Sequence, residues 1–366
     1  MKGFLLYLVV FVVFATVDAG DNGLYVYTGY EDQLPPGAKT SLYRIDLGTG
    51  DVALVVNYDN GVMAKGGVPD EYCVAGQDAH FAYSTSTHTL YGLPNGGAKM
   101  PMIMHNTDTN TSVCDDSIED RWGLTIFNEQ NGEGGRSKQT DTFVAFSSNY
   151  AGNRWSFEVG LVKASGAVNP KSTATWTRQL LWETDSSSRY NMFPCAINIG
   201  HAAVDVSTGK LFILCGGGVG DIPWFVYTVS TAKKWKMLNG ANMTGDASGS
   251  LSKILGFSAK EGGLRGVFMS QTGVGFQYRL GYVSPTTGNW IRPSVPVKAQ
   301  DGTNITGLLS TFAVDTISET VYAFSAANAA AEVLTIDMAS GVVTSRIGLR
   351  KQLKITNMVF VGDDVI

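Results

Sequence analysis

The sequence predicts an all-β fold: a single β-propeller of six four-stranded antiparallel blades. Three observations point to it. Helical periodicity is almost absent, and apolar alternation broken by Gly, Asn, Asp, Ser and Thr dominates. A strand–turn–strand unit recurs six times, with turns near Gly50, Asn110, Gly166, Ala232, Gly288 and Gly341, 53 to 66 residues apart. Finally, each chain end reads as part of a blade that the other completes.

Composition agrees. The chain has 366 residues, 44% hydrophobic and 16% charged, with 43 glycines. So little charge beside ordinary apolar content argues against disorder and against long solvated helices. Many short strands joined by tight turns account for the glycine. A net charge of −5 and a pI near 5.4 leave no electrostatic footprint for nucleic-acid phosphates.

The chain opens on MKGFLLYLVVFVVFATVDA, residues 1–19, with Lys2, an apolar run from Phe4 to Val17, and Val17-Asp18-Ala19 at a small-residue exit. This is the pattern of a secretory signal peptide cleaved after Ala19, and the run is too short for a membrane span. Residues 20–366 are then expected as the propeller of a secreted, extracellular protein. The C-terminal Met358–Ile366 lacks the hydrophobic tail of a lipid anchor.

Within the repeat, one unit is an outer hairpin. It reads Leu42-Tyr43-Arg44-Ile45-Asp46 with Gly48-Thr49-Gly50 at the start and Leu334-Thr335-Ile336-Asp337 with Ser340-Gly341 at the end. In the fifth copy, Gly281-Tyr282-Val283 leads to Thr287-Gly288-Asn289-Trp290. The second unit is an inner hairpin that aligns without gaps. His80-Phe81-Ala82-Tyr83-Ser84, His201-Ala202-Ala203-Val204-Asp205 and Thr311-Phe312-Ala313-Val314-Asp315 each lead through a Ser/Thr-rich turn to a second strand. Together the units give four strands per blade. Blades are expected at 355–361 with 24–57, then about 77–113, 121–182, 198–238, 251–293 and 307–348. Pairing the terminal strands would close the ring and remove a free sheet edge.

Three N-x-S/T sequons, at Asn110, Asn242 and Asn304, suit glycosylation on a secretory route. Four cysteines suit disulfides in an oxidising compartment. Three connectivities are open; Cys73–Cys114 and Cys195–Cys215 are preferred because each pair brackets one repeat. A zinc site is disfavoured, since there is no C-x-x-C pair.

The Ile-Asp-x-x-Thr-Gly-like hairpins resemble those of the six-bladed β-propeller superfamily. That group includes calcium-dependent lactonases of the paraoxonase and regucalcin type, strictosidine-synthase-like proteins, insect yellow and royal-jelly proteins, and extracellular receptor propellers. The resemblance implies the fold. The receptor Tyr-Trp-Thr-Asp motif and the Trp-Asp ending of intracellular blades are both absent, so it implies no particular activity.

Candidate chemistry gathers where the inner strands begin. Asp78, Asp120, Asn198 and Asn357 fall near such positions and could offer oxygen ligands to Ca²⁺. The hydrolase members of the superfamily would place Glu, Asn and Asp at the starts of different inner strands. His80 and His201 hold one position in two blades, where imidazole could act as general base. Asp246, Lys253, Asp301 and Ser310 fall in comparable places. Gly216–Gly220 resembles a phosphate loop but lacks the following lysine and helix, so an inter-strand loop explains it. The seven tryptophans are expected to pack between blades rather than stack on sugars. No serine-hydrolase elbow or zinc-protease motif occurs. The leading expectation is an extracellular binding or structural protein whose loop face engages a protein, glycan or small ligand. The alternative is a calcium-dependent hydrolase of the lactonase or arylesterase type.

Overall fold

The computed structural model describes residues 23–28, 41–57, 80–84, 87–93, 102–115, 123–126, 140–151, 154–165, 174–183, 199–205, 208, 210–215, 225–230, 236–242, 251–272, 275–305, 307–325 and 331–362. They form strands and turns with no helix, arranged in antiparallel four-stranded sheets. The first sheet runs β24 (Ile355–Val361), β1 (Gly23–Thr28), β2 (Ser41–Ile45), β3 (Val52–Asn57). The second contains β4 (His80–Ser84), β5 (Thr89–Leu93), β6 (Met102–Asn106) and β7 (Thr111–Asp115). The third contains β8 (Gly123–Ile126), β9 (Thr140–Ala151), β10 (Arg154–Ser165) and β11 (Ala174–Glu183). Next come β12 (Ile199–Asp205), β13 (Lys210–Cys215), β14 (Phe225–Ser230) and β15 (Lys236–Asn242). The fifth has β16 (Leu251–Ser258), β17 (Gly263–Thr272), β18 (Gly275–Val283) and β19 (Val295–Pro296). The sixth has β20 (Leu309–Asp315), β21 (Thr320–Ser325), β22 (Glu332–Asp337) and β23 (Val343–Gly348).

In four of the sheets the outer hairpin owes its shape to a side chain at the end of the third strand. Asp46 Oδ1 accepts the N–H groups of Gly48 and Thr49 at 2.8 and 2.7 Å. Asn106 does the same for Thr109 at 2.9 Å, Ser284 for Thr287 at 3.2 Å, and Asp337 for Ser340 at 2.7 Å. These are Asx- and Ser-type turns, in which a short polar side chain replaces a backbone acceptor. The chain then turns through positive φ at Gly50, Asn110, Gly288 and Gly341. The bonds to the Thr49 and Gly48 N–H groups hold the Asp46 carboxyl below its ordinary range.

The core lies between neighbouring sheets. Ala203, Phe212 and Leu214 of the fourth sheet meet Ile254, Leu264 and Phe268 of the fifth. Tyr278, Leu280 and Tyr282 of the fifth meet Phe312, Val321 and Leu334 of the sixth. Leu24, Val26 and Met358 of the first meet Ala313, Tyr322 and Phe324 of the sixth. Tyr27 and Leu42 meet Leu90 and Ile103 across the first and second. Trp290 is partly buried against the cluster shared by the fourth and fifth sheets, and its ring sits edge-on to Phe268 of its own sheet at 4.2 Å. A Cβ on Gly281 would lie 2.1 Å from the Trp290 ring, so that position needs glycine.

One outer strand departs from its expected form. In the fifth sheet Trp290 makes only a bridge to Val283, and the fourth strand is the two-residue β19. Pro293 and Pro296 lack N–H donors and suit an edge, not a longer ladder. The chain compensates by bonding to the next sheet: Lys298 N–H donates to Gly341 O at 2.9 Å and Val343 N–H to Lys298 O at 2.8 Å.

Candidate functional site at the starts of the inner strands

The first-position strands neighbour one another in sequence order. β24 lies against β4, β4 against β8, β8 against β12, β12 against β16, β16 against β20, and β20 against β24. Each of these strands therefore has a first-position strand on either side of it.

Four of these strands begin with the same irregularity. Pairing skips a residue between Ile199 and His201, between Leu251 and Lys253, between Leu309 and Thr311, and between Ile355 and Asn357. Each skip is a bulge, which leaves an extra residue unpaired and re-aims the next side chain along the strand. The extra residues are Gly200, Ser252, Ser310 and Thr356, all small. The residues after them face equivalent partners on the second strand: His201 faces Leu214, Lys253 faces Val267, Thr311 faces Phe324 and Asn357 faces Tyr27. In β4 the same register is held by His80, opposite Leu93. The pairing of His80 with His201 read from sequence therefore holds at the level of backbone register, and the position extends to Lys253, Thr311 and Asn357.

Lys253 is partly buried, and its Nζ donates to the carbonyl of Phe312 on the neighbouring inner strand at 3.0 Å. Burial pushes the amine pKa down to about 8. Among the described residues no carboxylate forms an ion pair with it. Thr311, next to Phe312, is buried. Asn357 Oδ1 accepts the N–H of Met358 at 3.1 Å, and Thr356 Oγ1 donates to Tyr27 O at 3.2 Å. The bulge of β20 is braced from the fifth sheet. The Leu309 N–H donates to Tyr278 Oη at 2.8 Å, and the Tyr278 hydroxyl donates back to the Leu309 carbonyl at 3.3 Å.

Of the other sequence candidates, Asp78, Asp120, Asn198 and Asp246 lie outside the described residues. Asp301 is exposed in a turn away from the strand starts, where Thr303 Oγ1 and N–H hold its carboxyl below the ordinary range. No group of three or more His, Cys, Asp or Glu able to hold a metal occurs among the described residues. Cys73, Cys195 and the segment 1–19 are outside the described residues; Cys114 is the penultimate residue of β7 and Cys215 ends β13. Asn110 and Asn304 are exposed, and Asn242 ends β15. No described helix is long and apolar enough to cross a membrane. A cleft of about 190 Å³ between the fourth and fifth sheets, with Asp205, Lys210 and Thr286, lies at the opposite strand ends.

A sequence signal for the wider position does exist. Ile199-Gly200-His201, Leu251-Ser252-Lys253, Leu309-Ser310-Thr311 and Ile355-Thr356-Asn357 share an aliphatic–small–polar triplet. Its common register emerges only from the strand pairing.

No family model matches the sequence, and no curated protein sequence is similar to it. Solved structures are similar in fold. A chain in a nidogen/laminin complex matches with a TM-score of 0.54 at 11% identity, covering 93% of this chain and 98% of that one. TolB from Acinetobacter baumannii matches with a TM-score of 0.51 at 9% identity, covering 93% and 67%. These neighbours are β-propeller proteins, and the chain shares their fold.

Proposed function

We propose that this chain is a secreted six-bladed propeller whose ring is closed by its terminal strands, and that it binds an extracellular ligand on the face where the inner strands begin. The six sheets, the β24–β1 pairing and the cyclic order of the inner strands support the ring. The leader-like residues 1–19 and the exposed sequon residues Asn110 and Asn304 support the extracellular route. Cys73, Cys114, Cys195 and Cys215 would then be disulfide-bonded. The observation that carries the binding reading is the chemistry of the shared position. Asn357, His80, His201, Lys253 and Thr311 offer hydrogen-bond donors and bases but no carboxylate. Ca²⁺ prefers six to eight oxygen ligands, several of them carboxylates. The shared position therefore suits recognition of a ligand; Asp78, Asp120 and Asn198, which the calcium-hydrolase alternative would also use, lie outside the described residues. A resemblance to a propeller seen in a nidogen/laminin complex makes matrix proteins reasonable first probes.

The test uses the purified mature chain against immobilised matrix proteins, laminin among them, and a glycan panel. Binding that Ser310→Arg abolishes, with melting unchanged, is the expected result. A melting temperature raised by calcium over chelator, together with calcium-dependent ester hydrolysis, would overturn the reading in favour of the enzyme.

A further inference from the structure

We propose that the position after the inner-strand bulges binds an oxyanion, a carboxylate or phosphate group carried by the ligand, and that Lys253 anchors it. The inference deepens the binding reading above and rests on it.

The repeat builds the place. Five inner strands share one register position, and it holds an ammonium group, two imidazoles, a hydroxyl and a carboxamide. The chain has 32 acidic against 27 basic residues, yet none of the acids occupies this position. The one formally charged side chain among the five is Lys253, a cation in a chain of net charge −5. Three consecutive strands carry it side by side: β12 with His201, β16 with Lys253 and β20 with Thr311.

Lys253 supplies the physical reason for an anion. Removing an ammonium from water is costly unless an opposite charge or a full set of acceptors replaces the lost solvation. Among the described residues its Nζ finds one acceptor, the Phe312 carbonyl. An ammonium carries three N–H donors, so two remain for a partner. Among the described residues, then, this lysine is a cation without a neighbouring carboxylate. An oxyanion completes it by accepting from Nζ. Bound there, the anion stabilises the charged amine and raises its pKa from the depressed value of about 8. Binding should then take up protons near pH 8 and weaken as the free amine loses its proton.

The probes are inorganic phosphate and citrate, titrated calorimetrically into the mature chain at fixed ionic strength near neutral pH and at about pH 9.5. The expected result is saturable binding of at least one probe, weaker by about tenfold or more at the higher pH. Which probe binds distinguishes a phosphate from a carboxylate ligand. Lys253→Met should abolish binding while raising the melting temperature without anion, because it removes a partly buried charge. Lys253→Arg should retain part of the affinity. Absence of saturable binding by both probes overturns the proposal, as does unchanged binding by a folded Lys253→Met protein. If Lys253→Met also captures a matrix or glycan ligand as well as the wild type does, the oxyanion site fails and the binding reading stands.

Discussion

At the level of single residues, two positions show how the repeat imposes costs that one side chain settles. Gly341 sits at φ +73, and a Cβ there would lie 2.4 Å from the Pro296 carbonyl oxygen of the preceding sheet. Gly50 repeats the arrangement against Gly348 O at 2.3 Å. The outer turn of one sheet thus docks its glycine onto the outer edge of the sheet before it. Gly341→Ala should cost more than about 1 kcal/mol in urea unfolding, because it adds collision to backbone strain. Gly302→Ala, at φ +83 with nothing within 4 Å, carries strain alone and should cost measurably less. If the two are equal, the docking contributes nothing. His105 is the other case. It is buried, its Nδ1 lies 2.7 Å from Ser112 Oγ across the strand pair, and burial pushes its pKa down to about 4. The unfolded chain binds a proton near pH 6.5, so falling pH favours unfolding between about 6.5 and 4. The expected loss across that window is on the order of 3 kcal/mol. His105→Gln should flatten the melting temperature against pH there, whatever it does to stability at neutral pH.

At the level of elements, the β20–β21 turn ties the fifth and sixth sheets together. Glu319 stands at φ +52, a conformation that costs a non-glycine residue energy. In return its carboxylate receives Arg265 Nη2 at 2.6 Å, Arg265 Nε at 3.0 Å and the Tyr282 hydroxyl at 2.9 Å. Burial works to raise the Glu319 pKa, but the fork of Arg265 and the Tyr282 hydroxyl outweigh it, and the net shift is downward. The Tyr282 phenol moves the other way, up to about 12, through burial and the Glu319 carboxylate. Glu319→Ala should cost about 3–5 kcal/mol, since it strands a buried guanidinium. Arg265→Met combined with it should recover much of that loss in a double-mutant cycle; additive losses would show that the pair does not act as a unit. The turn chemistry behind such elements was legible in the sequence, because Asp46, Asn106, Ser284 and Asp337 act within a few residues of themselves. The bulges were not legible. A skipped pair between Leu251 and Lys253 is a relation to β17, and no local pattern states which residue lacks a partner. For the same reason Lys253 and Asn357 could be named as strand-start residues without their kinship to His80 and His201.

On the scale of the whole molecule, the terminal strands couple stability to the candidate site. β24 pairs with β1 through Gly23–Val361, Leu24–Phe360 and on to Tyr27–Asn357, so the strand that carries Asn357 also covers an edge of the first sheet. Ile355, Met358 and Val361 are buried by it. On the closed-ring reading, the chain's two ends form an ordinary antiparallel hairpin that lacks only its connecting turn. Gly23 and Val361 lie opposite each other at its open end, where a two-residue Asn-Gly turn would suit the twist of the strands. A circular permutant that joins Val361 to Gly23 through that turn and opens the chain between residues 57 and 80 keeps every described strand. It should melt cooperatively at a temperature close to the parent's and bind the oxyanion probe with similar affinity. Deleting residues 355–366 from the natural chain should instead expose the edge of β1 and abolish probe binding, with soluble oligomers in size-exclusion chromatography. A permutant that fails to fold while the truncated chain stays monomeric and stable would sink closure by these two strands. The two proteins discriminate because only one removes the strand; the other merely changes where the ring is cut.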